Sequence, residues 1–179
     1  VQPDGTVLKD FDVYRFLDGK PADTVNPSLW RHAQLNANIG LYKVMDGVYQ
    51  LRGFDIANMT LIDGKTGWIL VDPLTARESS KAALEFARQH LGNKPVSAII
   101  FTHAHADHIS AAPFLKQATG APIVIGEHIK AVQKVFKGVF NLAYVTADGR
   151  PFDKLVADGE EFELGRLSIQ VMHTPGHTP

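Results

Sequence analysis

An apolar stretch at residues 96–101, "VSAIIF", leads directly into "THAHADH", where three histidines and an aspartate occupy six positions. A short, wholly apolar run of this kind is typical of a strand buried in the centre of a sheet. The loop that follows such a strand delivers its side chains at one rim of the sheet. The chain is therefore expected to fold around a sheet whose central strand ends in four chemically active residues: His103, His105, Asp107 and His108.

The segments on either side of this strand predict a layered α/β fold. Two pairs of strand-like segments come first and flank the short turns "DG" and "DGKT", which is the pattern of successive β-hairpins. A helix is then predicted within residues 75–92, with Thr75 as its N-cap and Gly92 as its end. Further helices are predicted at about residues 110–119 and in "EHIKAVQKVF". Further strands are predicted in "PIVI", "EFEL" and "LSIQVMH", with a turn at Gly165 and Arg166 between the last two. Hairpins that precede βαβ-like units indicate a sheet-rich α/β architecture.

Residues 1–38 differ from the rest because they contain three prolines and little periodicity. We expect an irregular N-terminal arm there and a folded domain over residues 39–179. With 179 residues, 45% of them hydrophobic, the chain is long enough to bury a core. No apolar run approaches the roughly 18 residues that span a bilayer. No signal peptide is visible, but the first residue is valine, so the sequence leaves a periplasmic or secreted location open.

The composition excludes several kinds of site and partner. The formal net charge is −1 and there is no basic tract, which argues against a nucleic-acid partner. Cysteine is absent, which excludes disulfides, thiolate metal sites and cysteine nucleophiles. The chemistry of the chain is therefore expected to reside in imidazole and carboxylate groups that act on a small molecule.

The spacing of the histidine cluster predicts a metal site. His103 and His105 are two residues apart and point the same way in an extended chain, so both imidazoles can reach one metal at about 2.0–2.1 Å. Asp107 and His108 lie one turn further on and can serve a neighbouring metal position. Imidazole and carboxylate suit zinc, and also iron or manganese. The alternative is a histidine-rich surface loop, but the strand before the motif and the helix after it favour a metal.

The end of the chain, "MHTPGHTP", supplies a further candidate ligand. A tight turn at Pro175 and Gly176 follows the predicted buried strand "LSIQVM", and His177 comes next. Because two strand ends of one sheet can meet at the same rim, we expect His177 to be the third ligand beside the first two histidines of the cluster. We expect His173 to support a ligand or to mark the end of the strand.

Other polar residues leave two interpretations open. Asp72 in "WILVDP" either initiates a turn before Pro73 or hydrogen-bonds the metal loop from below. A polar set around the first hairpins either lines a substrate pocket or forms a solvated face: Asn36, Asn38, Arg52, Asp55 and Asn58. We expect the remaining histidines to be ordinary surface residues: His32, His90 and His128.

The two histidine motifs, "HAHADH" and "TPGHT", resemble those of the metallo-β-lactamase superfamily, and the resemblance covers most of the chain after the arm. It implies an αββα sandwich, here only its N-terminal portion, with one or two metal ions at the sheet edges. It also implies that His103, His105 and His177 form the first metal site. Asp107 and His108 would contribute to the second, and Asp107 would orient the attacking water or accept its proton.

The two halves of the chain resemble different branches of that family. "DTVNPSLWRHAQLN" and "GVYQLRGFDIANMTLIDGKTGWILVDPLT" are similar to bacterial alkylsulfatases, which hydrolyse alkyl sulfate esters. "HISAAPFLKQATGAPIVIGEHIKAVQKVFKGVFNL" and "DGEEFELGRLSIQVMHTPGHTP" are similar to persulfide dioxygenase-like enzymes, which bind a single iron. In that branch the positions matching His103 and His177 are ligands. The chain thus resembles a mosaic, natural or engineered, with its seam near the metal loop.

These observations predict a metal-dependent hydrolase that uses water activated on one or two zinc ions to cleave alkyl sulfate esters. The alternatives are a mononuclear Fe2+ persulfide dioxygenase and a non-catalytic metal-binding fragment. By the resemblance, the remaining metal ligands would lie beyond Pro179. A half-sandwich would also leave its sheet uncovered, which predicts marginal stability or a homo-oligomer.

Overall fold

Seven strands form one mixed sheet in a computed structural model, which describes residue 5, residue 7, residues 9–164 and residues 167–177. The strands follow one another across the sheet in chain order. They are β1 (Gly40–Met45), β2 (Val48–Arg52), β3 (Met59–Asp63), β4 (Trp68–Val71), β5 (Val96–Ile100), β6 (Ile123–Gly126) and β7 (Lys154–Val156). Strands β1 to β4 pair antiparallel, and β4 to β7 pair parallel.

The two predicted hairpins are confirmed at one side of this sheet. Gly47 has a φ of 77°, which a two-residue turn between β1 and β2 requires and which glycine adopts without strain. The antiparallel strand β3 alternates between buried and less buried residues, whereas β4 and β6 are buried at three consecutive positions. Continuous burial is expected of parallel strands with both faces covered. The core is therefore centred on the parallel part of the sheet, and it extends to β2 and β3 through Leu51, Met59 and Leu61.

For the helices between the parallel strands, the sequence predicted the C-terminal ends better than the N-terminal ends. They are α2 (Arg77–Leu91), α3 (Ala106–Ile109), α4 (Ala112–Thr119) and α5 (Ile129–Val139). Gly92 and Gly120 end α2 and α4 with positive φ, as predicted. The predicted N-cap of α2 is wrong by one residue, because Ala76 rather than Thr75 occupies that position and offers no capping side chain. No helix in the described part of the chain is long and apolar enough to cross a membrane.

The expectation of an irregular arm over residues 1–38 is wrong for much of that segment. It contains a 3-10 helix (Phe11–Asp18) and helix α1 (Pro27–Asn36). The prolines misled the prediction, because Pro27 stands in the first turn of α1, where a missing N–H costs nothing. The Asn26 side chain caps that helix by accepting hydrogen bonds from the backbone N–H groups of Ser28 and Leu29.

The last third of the chain departs from the expected pattern at two strands. Strand β7 was not anticipated, because three residues are too few to show a period. The predicted buried strand "LSIQVM" is β9 (Leu167–Gln170), and alternate residues of it are exposed. It pairs with β8 (Glu161–Leu164) in a separate two-stranded sheet. The predicted turn at residues 165–166 lies outside the described residues.

Candidate metal centre

The carboxyl ends of β4 and β5 carry the candidate site. Because these neighbouring strands run parallel, their ends lie at the same edge of the sheet. Asp72 follows β4 directly, and Thr102 and His103 follow β5 after one further apolar residue. The motif then enters the short helix α3, for which His105 occupies the N-cap position.

Three of the predicted ligands come together at this edge. One ring nitrogen of each of His103, His105 and His177 lies within 4.8 Å of the corresponding nitrogens of the other two. The ring centroids of His103 and His105 are 4.8 Å apart, and His177 lies 4.8 Å and 4.6 Å from them. The rings meet edge to face rather than stacked. Three converging imidazoles of this kind can hold one metal ion.

His177 reaches this group by a route that differs from the predicted one. We expected two strand ends of a single sheet to meet, but β9 belongs to the separate sheet with β8. The chain beyond β9 is tied back by backbone hydrogen bonds between Val171 and both Gly159 and Glu160. The Asp158 carboxylate also accepts a hydrogen bond from the backbone N–H of His173 at 2.8 Å. The predicted residues therefore converge although the reasoning about a shared sheet was wrong.

A second group of metal-binding side chains shares His103. Ligand atoms of Asp72, His103 and His108 also lie within 4.8 Å of one another. Asp72 is buried, and its φ of 56° is rare for a residue other than glycine. Its two carboxylate oxygens accept hydrogen bonds from Thr102, one from the backbone N–H at 2.9 Å and one from the hydroxyl at 2.7 Å. These bonds favour the interpretation of Asp72 as a support of the metal loop, and they hold its strained backbone in place.

The Thr102 hydroxyl fixes which nitrogen of His103 carries the proton. The hydroxyl donates its single hydrogen to Asp72, so its oxygen accepts from Nδ1 of His103 at 2.8 Å. The other ring nitrogen, Nε2, then carries a lone pair. That atom is buried and has no hydrogen-bond partner among the described residues. A buried imidazole lone pair without a partner is the form in which histidine binds a metal.

The electrostatics of the cluster favour the neutral form of His103. Burial lowers the pKa of His103, and the neighbouring His108 ring lowers it further. Nδ1 of His108 lies 2.9 Å from a carboxylate oxygen of Asp72 but is buried without hydrogen-bond geometry. This nitrogen and the carboxylate oxygen are close enough to bind the same cation. The donor set is therefore one that could bind a metal ion.

Asp107 lies at the edge of the site. A carboxylate oxygen of Asp107 lies 3.4 Å from Nε2 of His108, but Asp107 belongs to neither group of converging ligand atoms. Its backbone carbonyl accepts a hydrogen bond from the Thr75 hydroxyl at 3.4 Å. Asp72 takes the corresponding place in the second group. The sequence signal for Asp72 was an aspartate at the end of a buried strand, which also fits a turn.

The remaining histidines lie outside both groups. The His173 ring stacks on that of His128 with the centroids 3.9 Å apart, and both residues are exposed. His32 and His90 are exposed as well. The interpretation of His173 as a ligand support therefore finds no contact among the described residues, whereas its place beyond the end of β9 fits a strand-end residue.

Comparison with known proteins places this geometry in a family. The model of the metallo-beta-lactamase superfamily matches residues 52–179, which include both histidine motifs. The chain belongs to the metallo-beta-lactamase superfamily. The α/β fold that we expected from the sequence is that of this superfamily.

Several alkylsulfatases of the metallo-beta-lactamase superfamily are similar to the chain. An (R)-specific secondary-alkylsulfatase from a Pseudomonas species is 49% identical over 110 residues, which cover 61% of this chain and 17% of that protein. An alkyl/aryl-sulfatase from Saccharomyces cerevisiae is 50% identical over 109 residues, which cover 60% of this chain and 17% of that protein. The structure of the inverting sec-alkylsulfatase Pisa1 from a Pseudomonas species matches with a TM-score of 0.65 and 39% identity, over 76% of this chain and 23% of that one. The chain thus spans about a sixth of the length of these curated relatives.

Proposed function

We propose that the chain forms part of a metal-dependent hydrolase that acts on alkyl sulfate esters. The observation that carries this proposal is the convergence of three histidines in a chain that is 47–50% identical to three alkylsulfatases over 106–110 residues. Catalysis by such a site would depend on the histidines as ligands, so their removal provides a direct test.

We assign the ligands from the two groups of converging atoms and from Asp107, which lies beside His108. His103, His105 and His177 would hold one zinc ion. His108 and Asp107 would contribute to a neighbouring position, where Asp72 supports or joins them. The choice of zinc rests on the imidazole-rich donor set, and the same set also suits Fe2+. A zinc ion bound there would supply Lewis acidity and lower the pKa of a water molecule.

The residues around the cluster would orient the reacting groups and move the proton. His103 is hydrogen-bonded to the Thr102 hydroxyl, which in turn donates to Asp72. We call these two hydrogen bonds the relay, and they would hold the Nε2 lone pair of His103 toward the site. The Asp107 side chain is 31% exposed and lies beside His108 at the edge of the cluster. That position supports our proposal that a carboxylate oxygen of Asp107 would orient the attacking water and accept its proton.

Metal analysis and turnover together test this proposal. Protein purified without added metal should contain zinc and release sulfate from a primary or secondary alkyl sulfate. Bound iron near one equivalent, with oxygen uptake on glutathione persulfide, would instead support the dioxygenase. Bound metal with no turnover of either substrate would support a non-catalytic fragment.

A matched pair of histidine variants makes the test specific to the site. His105→Ala should abolish stoichiometric zinc binding, because one of the three converging imidazoles is lost. His90→Ala removes an exposed histidine from α2 and should leave zinc binding unchanged. Equal zinc affinity in the His105→Ala variant and the parent would show that the ligand assignment is wrong.

We also propose that residues 39–179 fold as the domain and that the domain self-associates. Support for association comes from large apolar side chains that are exposed on α5 and just beyond it: Val135, Phe136, Val139, Phe140 and Tyr144. Sedimentation velocity should then show a species larger than the monomer, and its fraction should fall on dilution.

A further inference from the structure

We propose that a second ligand site, separate from the metal centre, lies between the N-terminal helices and the loop that joins β2 to β3. A cavity of about 530 Å³ opens there, and we call it the arm pocket. All members of the polar set that the sequence left uninterpreted line it: Asn36, Asn38, Arg52, Asp55 and Asn58. No residue of either metal-binding group lines this cavity.

Two cations line the arm pocket and have no carboxylate partner among the described residues. The Lys9 ammonium donates a hydrogen bond to the backbone carbonyl of Gly53 at 2.7 Å. Nε of Arg52 donates to the Gln50 side-chain oxygen at 2.6 Å, and its guanidinium lies 5.0 Å from the centroid of the Tyr42 ring. Neither cation forms an ion pair within the described part of the chain. Both therefore retain charge that a ligand can use.

Among the described residues, Asp55 is the one carboxylate that lines the pocket, and its oxygens are already occupied. One oxygen of Asp55 accepts hydrogen bonds from the backbone N–H groups of Thr75 and Ala76 and from the Ser79 hydroxyl. The other oxygen accepts from the backbone N–H of Ile56 at 2.8 Å. These four donors occupy the oxygens of the carboxylate, which keeps its single negative charge. The two cations Lys9 and Arg52 outnumber it among the charged lining residues. The charge that remains available in the arm pocket is therefore positive.

The walls of the pocket determine what kind of anion fits. The asparagine amides can donate further hydrogen bonds to the oxygens of an anionic head group, and a guanidinium binds such a group through two parallel N–H groups. Apolar side chains line the rest of the cavity, including Phe16, Leu17 and Ile56. A small organic anion with a short apolar tail matches both features. An inorganic anion would not displace water from the apolar wall, and a neutral alcohol would not pair with the two cations.

Titration with hexyl sulfate, followed by NMR shifts of labelled protein, tests this site. The titration is done with the His105→Ala variant, so that hexyl sulfate binding to a metal ion at the metal centre does not contribute to the shifts. We expect saturable shifts at the side chain of Arg52 and at the pocket asparagine amides. Hexanol and inorganic sulfate should each bind at least tenfold more weakly, because each lacks one half of the match.

Three variants decide whether the pocket cations are responsible. Lys9→Gln and Arg52→Gln should each weaken hexyl sulfate binding about tenfold, and Lys134→Gln on α5 should leave it unchanged. Equal weakening in all three variants would mean that binding follows net charge alone. Shifts confined to residues outside the pocket, or hexanol binding as tightly as hexyl sulfate, would overturn the proposal.

Discussion

The two sides of the candidate metal centre are held in different ways. On the strand side, Asp72, Thr102 and His103 follow buried strands and are joined by hydrogen bonds. The other side, which we call the hairpin side, is the chain that follows the β8–β9 hairpin. There His177 is exposed and comes after β9, a strand whose alternate residues are exposed. Its ring contacts are with the other two histidines. The sheet therefore builds one side of the site by itself. The described contacts of the other side with the sheet include the ion pair between Lys154 of β7 and Glu160, and a metal ion shared by the three histidines would add a further tie.

The largest expected difference between the two sides is in packing. Ile99 on β5 is fully buried, so Ile99→Ala should lower the free energy of unfolding by about 3–4 kcal/mol. Ile169 on β9 is half-buried, and Ile169→Ala should cost about 1 kcal/mol. Urea unfolding followed by far-UV circular dichroism measures both. Equal losses would mean that the hairpin is as much a part of the core as the central strand.

The second expected effect concerns the tie between the two sides. His177→Ala should weaken zinc binding by about 100-fold, because the hairpin then supplies no ligand. Zinc should also slow amide exchange in β9 of the parent chain and have no such effect in this variant. His173→Ala is the matched control, since that ring stacks on His128 instead. Zinc-dependent protection of β9 that survives without His177 would contradict this account.

A smaller effect tests the relay on the strand side. Thr102→Val removes the hydroxyl that accepts from His103 and donates to Asp72, so zinc affinity should fall by about tenfold. Thr102→Ser keeps that hydroxyl and should restore most of the affinity. Zinc titrations that give the same affinity for valine and serine would show that the relay does not orient the ligand.

Sequence patterns anticipated the elements whose signals are local. The apolar run before the motif, the "DG" turn and the glycines at the ends of α2 and α4 each depend on a few adjacent residues. Short or context-dependent elements were missed. Strand β7 is too brief to show a period, and the sheet to which β9 belongs depends on which distant strand it contacts. The helices of the arm were hidden by prolines that helices accept in their first turn.

The site shows the same limit. The motif identified residues that can bind a metal, and three of them do converge. It could not show that Asp72 rather than Asp107 lies beside His103, because that depends on how two strand ends meet in space. It also could not reveal the cap of α2. Asp55, about twenty residues earlier in the chain, supplies the side chain that holds the start of α2, where we expected the Thr75 hydroxyl.

Removal of the Asp55 carboxylate from the start of α2 should change the free energy of unfolding least among these predictions, and the change should depend on pH. Partial burial would raise the pKa of Asp55, but hydrogen bonds from the Ser79 hydroxyl and from three backbone N–H groups outweigh it and hold the pKa below its ordinary value. The ionised cap therefore stabilises the fold above about pH 4, and this contribution is lost as the pH falls further. Asp55→Asn should cost about 1 kcal/mol at pH 7, after allowance for its partial exposure.

Urea unfolding between pH 7 and pH 2 tests the cap by the difference between parent and variant. The difference should shrink below about pH 4, because protonation removes from the parent the charge that the substitution has already removed. Asp23→Asn, in an exposed part of the arm, should show no difference at either end of the range. A constant difference down to pH 2 would mean that the shape of the side chain, rather than its charge, joins the β2–β3 loop to the start of α2.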